Sequence, residues 1–110
     1  MIQARLLLDD QGAIRSFEAS GHAGKGSRGF DLVCAAFTIL ARTAVRTIRD
    51  VEGATVEGSA SEPGSMSWKV LEGGGERIVG ISDFLLTGLG DLALEYPDAI
   101  ELIVEHDVED

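Results

Sequence analysis

The chain has 110 residues, 45% of them apolar, with two prolines, one cysteine and a formal net charge of −10. That length and apolar content fit one globular domain over residues 1–110 and exclude a disordered chain. No basic leader opens the sequence, and the longest apolar stretch, Leu32 to Val45, is broken by Thr38, Arg42 and Thr43 and is too short to cross a bilayer, so a cytoplasmic protein with no membrane partner is expected.

From the N-terminus, Ile2, Ala4, Leu6 and Leu8 alternate with Gln3, Arg5, Leu7 and Asp9. This predicts a strand, closed by turn chemistry at Asp10-Gln11-Gly12 and followed by a second strand over 13–20. A glycine-rich loop leads to Asp31, which has the chemistry of an N-cap, and a helix is expected from there to Asp50. Val33, Phe37, Leu40, Ala44 and Ile48 recur at spacings of three and four and form its expected core face. "ATVEGSA" and "SMSWKVLE", joined by "SEPG", predict a second strand pair, with Met66, Trp68 and Val70 on one face. Beyond three glycines a second helix is expected over 76–96, with Ile78, Ile81, Leu85, Leu89, Leu92 and Tyr96 along its core face and Pro97 at its exit. Gly80, Gly88 and Gly90 each weaken this helix, so a close helix contact is expected to need them. "AIELIVEH" closes the pattern as a last strand. The order ββαββαβ predicts an α+β two-layer sandwich, two helices over a largely antiparallel sheet.

Charge is divided unequally along the chain. Residues 1–55 carry seven Lys/Arg against six Asp/Glu, whereas residues 56–110 carry two against thirteen. An acidic half argues against direct binding of nucleic acid, and its field either keeps the protein soluble or attracts a basic partner.

The chemistry concentrates in "SGHAGKGSRGFDLVCAAF", residues 20–37, which holds the single cysteine and one of two histidines. His22 and Cys34 stand twelve residues apart, enough chain to close a loop with adjacent ends. Cysteine attacks as a thiolate, and an unperturbed thiol with a pKa of about 8.5 is mostly protonated at neutral pH. With Asp31 as cap, Cys34 would be the third residue of the helix, among unpaired first-turn amides at the positive end of the dipole. Those amides would also serve an acyl-transfer oxyanion. A folded-back His22 would accept the thiol proton.

On residue chemistry alone three readings stay open: a Cys–His catalytic pair, a buried cysteine beside a solvated histidine, and a thiol redox sensor. A metal site is not expected, because His22, Asp31 and Cys34 lack ligand spacing and no second cysteine is present. His106 is expected to be solvated. "EGGGER" lacks the lysine of a phosphate loop and reads as a turn.

"GHAGKGSRGFDLVCAA" closely resembles the signature of the ribosomal-processing cysteine proteases: Gly-His-Ala, a short glycine-containing loop, then Gly-x-Asp-(Ile/Leu)-Val-Cys-Ala. The resemblance covers nearly the whole chain, from the hairpin before the motif to "LALEYPDAIEL" near the end. It implies a cysteine endopeptidase, cofactor-free and homodimeric, that removes an N-terminal extension from the precursor of a large-subunit ribosomal protein. By position it makes Cys34 the nucleophile and His22 the base, with Gly21 and Asp31 at motif positions tied to activity. Position 38, commonly serine in that family, is Thr38 here, one helical turn beyond Cys34. The rival expectation is a non-catalytic adaptor that binds the same basic ribosomal protein and cuts nothing.

Overall fold

A computed structural model describes residues 1–21, 28–62 and 65–107, with the backbone alone at 28–31 and 59–62. The elements run β1 (Ile2–Leu8), β2 (Ile14–Ser20), α1 (Arg28–Arg49), β3 (Thr55–Glu62), β4 (Ser65–Glu72), α2 (Glu76–Glu95) and β5 (Ile100–His106). The expected order ββαββαβ is the observed one. The five strands form one sheet in the order β3-β4-β2-β1-β5. Three of its four pairings are antiparallel, and only β5 joins β1 in parallel, with Ile2 opposite Ile100 and Leu8 opposite His106.

The alternation in β1 gives the sheet its two faces. Ile2, Ala4, Leu6 and Leu8 are buried beneath the helices, and the residues between them turn to the other face. β4 repeats the pattern with Met66, Trp68 and Val70 buried, as their spacing predicts. Phe17 on β2 stacks on Trp68 at 5.2 Å between ring centroids, and meets Phe37 of α1 at 6.1 Å. These three rings tie the centre of the sheet to the first helix.

The helix faces differ from expectation in detail. On α1, Val33, Phe37, Ala44 and Ile48 are buried, joined by Ala41 and Val45, while Leu40 is only half-buried. Leu40 leans toward α2, where a Cβ added at Gly88 would sit 3.1 Å from its Cδ1. Gly88 is therefore the glycine that the helix contact uses. Space is open around Gly80 and Gly90, so the expectation that all three serve a close contact is corrected to one. On α2, Ile78, Leu85 and Leu89 are buried as expected, whereas Ile81 and Leu92 are half-buried. Tyr96 lies past the helix as its C-cap, with its N–H donating to the Leu92 carbonyl at 2.8 Å.

The core face of α2 also holds a residue that hydropathy passes over. Ser82 is 1% exposed. Its Oγ accepts from the backbone N–H of Ile14 at 2.9 Å and donates to the Ile78 carbonyl at 2.7 Å. Ile14 needs this partner because the register of β1 against β2 shifts between Leu7 and Leu8, where the hairpin begins. Within the hairpin Asp9 Oδ1 accepts from the N–H groups of Gln11 and Ala13 at 2.9 and 3.0 Å, which forms the turn. Ser82→Ala strands a buried N–H, and we expect a loss of about 2 kcal/mol in denaturant unfolding. Ser82→Thr, which keeps the hydroxyl, should recover part of that loss.

Candidate active site

The topology brings the two ends of the motif toward one end of the molecule. β2 ends at Ser20, and Phe17 lies four residues before Gly21, about 13 Å back along the strand. Seven residues later α1 begins, and Phe37 meets the same Phe17 ring. So short a connection, followed by that contact, makes α1 run back along β2. Cys34 precedes Phe37 by three residues, about 4.5 Å along the helix toward the end of the sheet where Gly21 lies. His22 itself lies outside the described residues, and so does the loop over 22–27.

Gly21 is held by a backbone approach. It has φ +96°, a conformation that side-chain-bearing residues rarely adopt, and a Cβ added there would overlap the carbonyl oxygen of Met1. Met1 precedes β1, the immediate neighbour of β2. The chain thus leaves the sheet at Gly21 pressed against the N-terminal strand, and this fixes where the next residue starts.

The start of α1 requires a correction. The helix begins at Arg28, so Asp31 is its fourth residue and not its N-cap, and Cys34 is the seventh and not the third. Gly29 is tolerated near the helix end because each residue added to an established helix gains a hydrogen bond. The unpaired amides of the first turn belong to residues 28–31, whereas the N–H of Cys34 lies within the helical ladder. The expected oxyanion site on amides around Cys34 is therefore not carried by this backbone. What the longer helix supplies instead is a stripe: positions 31, 34 and 38 are separated by three and four residues and stack along one side of α1.

Cys34 is half-buried, packed against the core beside the fully buried Val33, and Thr38 is half-buried one turn on. The thiol is thus neither sealed in the interior nor standing clear in solvent. Around it α1 presents Leu32 and Ile39, which are 69% and 62% exposed and seven residues apart on one line of the helix. Sequence patterning did not single these out, because both sit in a stretch so rich in apolar residues that exposed and buried positions look alike. Between the helices an open groove of about 380 Å³ is lined by Thr43, Thr47, Arg77, Ile81 and Phe84 among others. On the opposite face of the sheet a polar concavity of about 450 Å³ reaches Ser20 at the end of β2, with Gln3, Arg5, Glu18 and Glu101 in its wall. His106 is the exposed last residue of β5. No helix among the described residues is long and apolar enough to cross a membrane.

Comparison with known proteins places this arrangement. The family model described as cysteine protease Prp matches residues 1–101. The crystal structure of SMU.848 from Streptococcus mutans is 28% identical, with a TM-score of 0.79, over 97% of this chain and 96% of that one. The essential ribosomal processing protease Prp from S. aureus, in complex with a covalently linked product peptide, is 22% identical at a TM-score of 0.81, over 96% of this chain and 100% of that one. The same S. aureus protease with a substrate peptide is 21% identical, also at a TM-score of 0.81, with the same coverage of both chains. No curated protein matches the chain in sequence.

Proposed function

This chain belongs to the cysteine protease Prp family, and from that premise we propose that it is a Cys34–His22 endopeptidase acting on a ribosomal protein precursor. The observation that carries the reading is the family match across residues 1–101, which contains the whole Gly21-to-Thr38 segment. The S. aureus protease of the same fold is a ribosomal processing enzyme, and its structure with a covalently linked product peptide supports a covalent route.

In the proposed mechanism His22 takes the thiol proton of Cys34 as Sγ attacks the scissile carbonyl carbon. The C–N bond then breaks, His22 delivers the proton to the departing amine, and a thioester to Cys34 remains. Water, deprotonated by His22, attacks that thioester, releases the new carboxylate and returns the proton to sulfur. Gly21 sets where His22 leaves the sheet. Asp31 and Thr38 support the site from the turns on either side of Cys34, and the methyl of Thr38 narrows the space where the family commonly has serine. The substrate is the basic precursor of a large-subunit ribosomal protein, cut at an N-terminal extension, and the enzyme works in the cytoplasm as a homodimer with no cofactor.

The test is direct incubation with a large-subunit ribosomal protein precursor carrying such an extension. Mass spectrometry should show the extension removed at a single bond. A precursor that binds stoichiometrically and stays intact would replace the protease reading with the adaptor.

A further inference from the structure

The two edges of the sheet are built differently. The β3 edge is blunted. Its register against β4 shifts between Thr55 and Val56 and again between Ser59 and Glu62. Gly58 sits at φ +115° with its Cα side closed by the β4 backbone, and Arg49 Nη2 donates to the Gly58 carbonyl at 3.0 Å, occupying a group that faces out of the sheet.

The β5 edge has none of these devices. Its pairing with β1 runs without a register shift from Ile100 to His106, and its sequence, "IELIVEH", contains no proline, lysine or arginine. Among the described residues no strand lies beyond it. The backbone direction follows from two bonds: Ile2 N–H donates to the Ala99 carbonyl at 2.8 Å, and Asp107 N–H to the Leu8 carbonyl at 2.7 Å. In a parallel ladder alternate residues bond to one side, so the odd-numbered residues of β5 face β1. The backbone groups of Leu102, Val104 and His106 therefore face outward.

The side chains along this edge select a partner. Leu102 and Val104 point to the helix layer, Val104 being 39% exposed. Leu86 and Ala93, partly buried and seven residues apart on the side of α2 turned away from α1, complete an apolar wall there. On the other face stand Glu101 and Glu105, both exposed, the latter in an exposed ion pair with Arg5 at 3.2 Å. No lysine or arginine follows Arg77 in the sequence, whereas Glu95, Asp98 and Asp107 flank β5 along the chain.

These charges also count against a second copy in the two registers centred on the strand. Antiparallel pairing of β5 with itself about Ile103 sets Glu101 opposite Glu105, and pairing about Val104 sets Glu101 opposite Asp107. Either register places carboxylates face to face.

We propose that the β5 edge is a docking site for an extended cationic segment of a partner protein, added as a sixth strand. The segment's apolar residues would pack toward Leu102, Val104 and α2, and its alternating Lys or Arg residues would lie over Glu101 and Glu105. The site is separate from Cys34, and binding at it is independent of peptide-bond cleavage.

The probe is a labelled nine-residue peptide of alternating Lys and Val, with a Glu/Val peptide as control, titrated into the full chain and followed by anisotropy and amide exchange. The Lys/Val peptide should bind, and the amides of Leu102, Val104 and His106 should gain protection. Glu101→Lys should weaken binding at least about tenfold. Val104→Pro removes an outward N–H that β1 does not use, so the fold tolerates it while binding falls similarly. Glu101→Gln, which is milder, should fall between wild type and Glu101→Lys, and thermal melts should show all three variants folded. The proposal is overturned by no binding to wild type, by equal binding of the Glu/Val peptide, or by protection elsewhere than β5. Probe-independent protection of these amides that rises with protein concentration would mean self-association, and would overturn it too.

Discussion

Cys34→Ala and His22→Ala should each lower cleavage of the ribosomal precursor by at least about a thousandfold while leaving the thermal melt nearly unchanged. The size of the effect follows from the chemistry. In the proposed mechanism, alanine at 34 removes the atom that forms the covalent bond, and alanine at 22 removes the group that moves the proton in both halves of the cycle. Because the two residues act as one unit, the double variant should be no slower than either single one. The small stability cost follows from position: Cys34 is half-buried, so truncation empties little packed volume, and it lies within an amphipathic helix anchored by Val33 and Phe37 on either side. A second readout separates catalysis from packing. Alkylation of Cys34 by a small electrophile should label the folded wild type, and losing His22 should slow it. Residual cleavage in Cys34→Ala would remove the covalent mechanism. A Cys34 that resists alkylation at every pH, with peptide present or absent, would make it a core residue and end the protease reading.

The parts of this protein that were legible in the sequence are those set by local periodicity. The two-residue alternation in β1 and β4 and the three-and-four spacing on α1 and α2 were enough to give element order and most buried positions, since one side of each element must leave water. Contacts between distant residues were not legible. That β5 would lie parallel to β1 at a sheet edge depends on a pairing between Ile2 and Ile100, which no local pattern encodes. Nothing in the local pattern marks Ser82 as a core residue, because its two bonds reach Ile14 and Ile78 and cannot be read from its polarity. The start of α1 was misplaced for a related reason. Gly29 suggests loop, Asp31 suggests a cap, and both local signals yielded to a helix whose apolar face packs firmly on the sheet. The chemistry of the site was legible as residue types in a motif, and the correction at Arg28 turns Asp31, Cys34 and Thr38 from a cap and its followers into one stripe on a helix.

Gly21→Ala should lower both stability and activity. Two effects add at this position. The backbone is at φ +96°, where a Cβ costs about 1–3 kcal/mol. That Cβ would also overlap the Met1 carbonyl oxygen, a backbone atom of the adjoining strand that cannot rotate away as a side-chain tip can. Relief requires moving either the start of β1 or the end of β2, and Gln3 opposite Ser20 is the last rung holding those ends together. We therefore expect a loss of about 2–4 kcal/mol in denaturant unfolding. Under the proposed mechanism, a shift of about 1 Å at the end of β2 should cost at least about a hundredfold in kcat/KM even in the molecules that remain folded. The comparison that isolates the cause is Gly80→Ala, at a helix position with open space around it: the same added methyl should stabilise the protein there by about 1 kcal/mol. If Gly21→Ala instead melts and cleaves like the wild type, the turn into His22 is not what positions the base, and the placement of the site at this end of β2 fails with it.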